Sequence, residues 1–150
     1  MRGLYSILML VVFLLAACDE SRQKSTAVLE AEAHLKSQGY TLISVMEENS
    51  LLLTKQDVKD PAYAPIWQVQ PLDSDRYIDK EITSVEIIVQ NHPLELLYNS
   101  KETRTIVYLH QNKVVGGWSF PVTSSKGFVG NVYSLDGKTA EEVKQEEFIP

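Results

Sequence analysis

Val85, Ile87 and Val89 alternate with Ser84, Glu86 and Gln90. A period of two predicts a strand over Ile82–Gln90 with one face in a core. The same pattern, more weakly, predicts strands at Tyr40–Met46 and Leu51–Thr54, with a polar turn at Glu48-Asn49 between them. Thr103–His110 and Lys113–Phe120 read as the arms of a hairpin around Gln111-Asn112, because asparagine tolerates the left-handed backbone that a tight turn needs. Phe128–Leu135 reads as a last strand, and Asp136-Gly137 turns the chain. Pro61, Pro65 and Pro71 exclude a regular helix through Asp60–Pro71 and leave Ile66–Gln70 as a short strand. Asp73–Asp79 reads as a charged loop.

Helical periods stand at the two ends of this β-rich stretch. Val28, Ala31 and Leu35 share one face of a helix over Thr26–Gln38, with Ser25 or Thr26 to cap it and Gly39 to stop it. Thr139 and Glu142 have the spacing of a capping box and predict a C-terminal helix to about Glu147. Pro93–Asn99 predicts one or two helical turns. Strands framed by helices imply an α+β fold with a mostly antiparallel sheet, an N-terminal helix and a short C-terminal helix. Residues 26–150 suit a single domain.

The first eighteen residues follow another pattern. Arg2 is their only charge, Leu4–Leu15 is almost wholly apolar, and Ala16-Ala17 precedes Cys18, the single cysteine. A basic start, an apolar run and small residues make a signal peptide, and the run is shorter than the roughly 20 residues of a membrane span. Leu15-Ala16-Ala17-Cys18 resembles the lipobox of bacterial lipoproteins. The resemblance implies removal of residues 1–17, a diacylglyceryl group on the Cys18 sulfur, and fatty acyl chains such as palmitate holding the protein to the outer face of the cell membrane. Two acyl chains suffice for stable anchoring where one does not. Cys18–Ser25 would be a short polar tether. In a two-membrane cell Asp19 resembles an inner-membrane retention signal, and in a one-membrane cell it carries no such meaning. A second resemblance rests on "NHPLELLYN", "VVGGWSFP" and "GNVYSLDGKTAEEV". These are similar to segments of small lipoproteins of unknown function from Gram-positive, spore-forming bacteria. That resemblance favours a one-membrane cell and implies no activity.

Charge narrows the partners. The chain carries 14 basic and 20 acidic residues, net −6. Losing Arg2 with the signal peptide would make the balance more negative still. An acidic body of this kind does not suit nucleic acid or the surface of anionic lipid. With Cys18 modified, no disulfide can form.

Candidate chemistry is sparse. His34, His92 and His110 have no histidine two to four residues away, so no compact zinc pair exists and no metal site is expected. Asp73, Asp75, Asp79 and Glu81 suggest a calcium loop, but Ile78 stands where an EF-hand needs glycine and Ser84 where it needs glutamate. Gly116-Gly117 interrupts a strand pattern beside Trp118 and Phe120 and reads as a bulge with aromatics filling the core. A hydrolase site would have to be assembled from His92, aspartates and Ser119 or Tyr98. The proline-rich segment offers a recognition surface in Tyr63, Ile66 and Trp67, rigid aromatic and apolar groups of the kind enriched at interfaces, although Trp67 reads first as a core residue of a short strand, since large aromatics are usually largely buried. These features favour a lipid-anchored binding module with no cofactor beyond its lipid. The alternatives are a small extracytoplasmic hydrolase or a domain that binds a ligand or cation near His92.

Overall fold

The computed structural model describes residues 23–70, 73–123 and 131–146. The expected signal peptide, Cys18 and the expected tether up to Arg22 lie outside them, as do Phe128–Gly130 of the expected last strand. One helix, α1 (Thr26–Ser37), lies on a five-stranded antiparallel sheet. The strands are β1 (Thr41–Leu52), β2 (Glu81–Gln90), β3 (Glu102–His110), β4 (Lys113–Val122) and β5 (Tyr133–Ser134), and they neighbour one another in chain order. Short helices fill the connections: α2 (Lys55–Lys59), α3 (Ala64–Gln68) and a 3₁₀ turn (Ser74–Tyr77) between β1 and β2, and α4 (Pro93–Tyr98) between β2 and β3. The C-terminal helix is α5 (Ala140–Glu146). The α+β class and both end helices agree with the sequence pattern.

The core lies between α1 and one sheet face. Ala27, Val28, Ala31 and Leu35 pack on Val85, Ile87 and Val89 of β2 and on Val107 and Leu109 of β3, with Tyr40 and Leu135 at the margin. Ser25 caps α1 by accepting from the Val28 amide at 3.1 Å. Its hydroxyl meets both oxygens of the Glu48 carboxylate at 2.9 Å, tying the helix start to β1. Lys24 pairs with Glu32. The helix ends as the glycine implied. Gly39 takes φ +89°, and the Tyr40 amide reaches back to the Leu35 carbonyl at 3.2 Å.

Three local expectations need correction. No turn breaks the chain at Glu48-Asn49. β1 runs unbroken, with Asn49 and Ser50 opposite Ser84 and Thr83 and irregularities near Ile43 and Met46. Polar residues can sit in this strand because it is the sheet edge and nearly all of it is exposed. Ile66–Gln70 is not a strand. Pro65 stands in the first turn of α3, where its missing N–H costs nothing, and the helix extends to Gln68. The residues before it also hold an unforeseen helix, α2, opened by a capping box between Thr54 and Asp57. Within Asp73–Asp79 the expected loop contains the 3₁₀ turn.

Gln111 and Asn112 both take positive φ, as the two-residue hairpin turn requires. Register slips between Tyr108 and Leu109 against β4, so the bulge falls at Val115, one residue before the glycines, which pair regularly with Tyr108 and Val107. Trp118 and Phe120, however, lie on the sheet face opposite α1 and are only half-buried. Gly117 and Ser119 take the core face. Gly117 must be glycine there, because a Cβ would stand 2.3 Å from the Ile106 carbonyl oxygen.

Candidate functional site

Three places carry the chemistry available to this fold. The first is the segment of Tyr63, Ile66 and Trp67. Tyr63 is the N-cap residue of α3 and half exposed, at 50 %. Ile66 and Trp67 are half-buried. The Trp67 ring stacks on Tyr108, with centroids 5.8 Å apart, and its indole N–H donates to the Asp57 carbonyl at 3.3 Å. The row continues across the sheet. The Trp118 indole N–H donates to the Tyr108 hydroxyl at 3.0 Å, and Trp118 stacks on Phe120. The Arg104 guanidinium lies 5.2 Å from the centre of the Phe120 ring and its Nε is 3.1 Å from Glu86. Burial pushes the Tyr108 hydroxyl pKa up, against a smaller opposing effect of the Trp118 hydrogen bond, so it stays a neutral link. Trp67 is thus anchored by the sheet, while Tyr63 remains outside. Gln70 fixes the segment from below. Its side-chain oxygen accepts from the Gly117 amide at 2.7 Å.

The second place is His92. It is buried, and both ring nitrogens are in use. Nδ1 accepts from the Leu94 amide at 3.2 Å, which makes His92 the N-cap of α4, and Nε2 lies 3.0 Å from the Leu135 carbonyl, to which it donates. The ring packs against Tyr40 at 4.7 Å. Burial lowers the His92 pKa. The hydrogen bond to Leu135 and the charges of Glu95 and Asp136 oppose that shift without cancelling it. The other residues of the imagined hydrolase site are engaged too. The Ser119 hydroxyl donates to the Ser134 carbonyl at 2.7 Å, and the Tyr98 hydroxyl pairs with that of Tyr133. None of these hydrogen bonds joins one of the three groups to another. His92 works here as a capping and packing residue.

The third place was not visible in the sequence. A pocket of about 470 Å³ opens between the C-terminal end of α1, strand β4 and the turn after β5. Val114, Leu135 and Val143 supply its apolar wall, and His34, Asp136 and Lys138 its polar groups. Its volume falls in the range of small-ligand sites. Asp136 and Lys138 form an ion pair at 2.7 Å. Burial opposes the Asp136 charge, but Lys138 and the Ser134 hydroxyl together hold its pKa below the usual value. Burial also lowers the His34 pKa. The pocket therefore offers a balanced ion pair and an imidazole over apolar surface. Its residues are scattered from position 34 to 143, and no local motif joins them.

Among the described residues no cluster of three or more His, Cys, Asp and Glu side chains could hold a metal, and no helix is long and apolar enough to cross a membrane. Comparison with family models, with curated proteins and with solved structures finds no match to this chain.

Proposed function

We propose that this chain is a lipid-anchored, extracytoplasmic binding module of a bacterial cell envelope, tethered through Cys18 and not itself a catalyst. The carrying observation is Leu15-Ala16-Ala17-Cys18 directly behind an apolar run, with Cys18 the single cysteine. The contacts of His92, Ser119 and Tyr98 lend support, since each group is committed to holding the fold. Ser25 is already fixed to the domain, seven residues after Cys18. At roughly 3.5 Å per residue the body would stand within about 25 Å of its anchor. Confinement at that distance raises the effective concentration toward a neighbouring envelope partner. Tyr63, with Ile66 and Trp67 behind it, is the partner surface of this reading.

Two measurements test it. Cys18→Ala should abolish incorporation of labelled palmitate and leave an uncleaved precursor. Unchanged labelling overturns the anchor. Crosslinking pull-down from native membranes should yield one dominant partner that Tyr63→Ala loses. Tyr63 is the cleaner probe, because Trp67→Ala also removes the stack on Tyr108. A second reading, a domain that binds a small ligand, is favoured by the pocket of His34, Asp136 and Lys138. Ligand-dependent melting of the chain would raise it above the first.

A further inference from the structure

The edge strand β1 has an unusual character. It is twelve residues long and pairs on one side with β2, and among the described residues no strand pairs with its other side. Edge strands in monomeric proteins are commonly short, charged or covered, because an open row of N–H and C=O groups invites another strand. This one is long and exposes Ile43, Val45, Met46, Leu51 and Leu52, Met46 to 56 %. Helix α1 stands beside its first half, and a groove of about 550 Å³ separates the two.

The backbone and the charges say what fits. Leu53 turns both its main-chain groups toward the β2 side, its N–H to the Lys80 carbonyl at 3.0 Å and its carbonyl to the Asp79 amide at 2.8 Å. Main-chain direction alternates along a strand, so Leu52, Ser50 and Glu48 turn theirs outward. The occupant must supply main-chain partners, and that means an extended peptide. A second copy of the chain is a poor candidate. Antiparallel pairing of two whole β1 strands would set Glu47 of each copy diagonal to Glu48 of the other, with no basic residue in Thr41–Leu52 to offset them. Like charges at that diagonal spacing repel, and each body is already acidic.

We propose that β1 and the groove beside α1 receive an extended segment of another envelope protein, added to the sheet as a further strand. The segment is apolar at alternate positions and carries lysine or arginine where it passes Glu47 and Glu48. This rests on the reading of the body as a binding module and names the chemistry of its partner. It uses a surface separate from Tyr63.

The test uses the full-length, lipidated chain in detergent micelles and a fluorescent synthetic peptide of alternating valine and threonine with a central lysine pair. The expected result is saturable binding, with slowed amide exchange at Glu48, Ser50 and Leu52. Replacing the lysines by glutamate should weaken binding about tenfold or more, and added salt should narrow that gap. Glu47→Lys should reverse the preference between the two peptides. N-methylating the peptide on alternate residues should abolish binding while leaving the protein intact. Binding indifferent to the charge swap and to N-methylation overturns the proposal. So does concentration-dependent dimerisation that protects β1 without peptide, or protection of β1 by empty anionic vesicles. A partner lost in Tyr63→Ala, with no peptide bound at β1, would sink this proposal and leave the binding-module reading standing.

Discussion

Val45 and Ile87 face each other across one rung of the sheet. Both are β-branched, both lie on the side toward α1, and they belong to strands of similar length. Ile87 is 0 % exposed and Val45 is 37 % exposed. Composition does not separate them, but position does. β2 has a strand on each side and α1 across its face, while among the described residues β1 has a strand on one side only. Apolar residues in β2 are accounted for by the core they build. Those in β1 build little of it, so their presence needs another cause, and contact with something outside the chain supplies one.

The largest expected effect tests the buried half of that rung. Ile87→Ala should cost about 2–5 kcal/mol, the range for truncating a fully buried aliphatic side chain. Val45→Ala should cost under about 1 kcal/mol, because much of its surface already meets water. Urea unfolding of both variants measures the difference. Equal losses would mean that β1 is as much a part of the core as β2.

Two glycines sharpen the contrast between the interior of the sheet and its surroundings. A Cβ on Gly117 would collide with the Ile106 carbonyl oxygen and with Leu135, while one on Gly39 meets nothing within 4 Å. Gly117→Ala should therefore destabilise by about 2–4 kcal/mol through forced movement of backbone and core. Gly39→Ala should cost about 1 kcal/mol, the penalty for a left-handed backbone alone. Thermal melts would separate the two, and a Gly117→Ala variant as stable as Gly39→Ala would contradict the packing around β4.

Much of this was legible in the chain, and the rest was not for physical reasons. The alternation of Val85, Ile87 and Val89 located the central strand because burial on one face imposes a period of two. Gly39, the Gln111-Asn112 turn and the Thr139–Glu142 box were readable because each solves a local backbone problem. β1 was misread as two strands because an edge tolerates polar residues such as Asn49 and Ser50, which elsewhere signal a turn. α3 was misread because proline breaks a helix only beyond its first turn. Tyr63, Ile66 and Trp67 came from composition, and nothing local announced that Trp67 would stack on Tyr108, forty-one residues away. The His34–Asp136–Lys138 pocket and the edge position of β1 exist only once the strand order is set.

Acid sensitivity should arise in the interior and not at the edge. Folding holds the His92 pKa below its ordinary 6.5. The folded state therefore binds the proton less readily than the unfolded chain does. The stability tied to this difference is complete above about pH 6.5 and declines as pH falls from there through the lowered folded value. His34 acts in the same direction. Asp136 has a lowered pKa as well, but its contribution is lost only at more acidic pH, in the carboxylate range. Melting temperature should thus hold above about pH 6.5 and drop as pH falls below it. His92→Asn keeps a side-chain acceptor for the Leu94 amide and should flatten the profile while lowering stability overall. A slope unchanged in His92→Asn would assign the acid sensitivity to another group.

The smallest effect on folding returns to β1. Met46→Thr and Leu51→Thr replace exposed apolar side chains with a residue that also favours strands, so unfolding free energy should move by no more than about 0.5 kcal/mol. Their value lies in what else changes. If the apolar flank exists to meet another strand, both variants should weaken capture of the strand peptide and reduce clumping of the concentrated protein, with stability untouched. If instead Met46 and Leu51 support the fold in a way their exposure conceals, stability and capture should fall together. Urea unfolding and peptide titration on the same preparations distinguish the two. A residue that can be made polar at no cost to folding, but not without cost to recognition, is placed there for a partner.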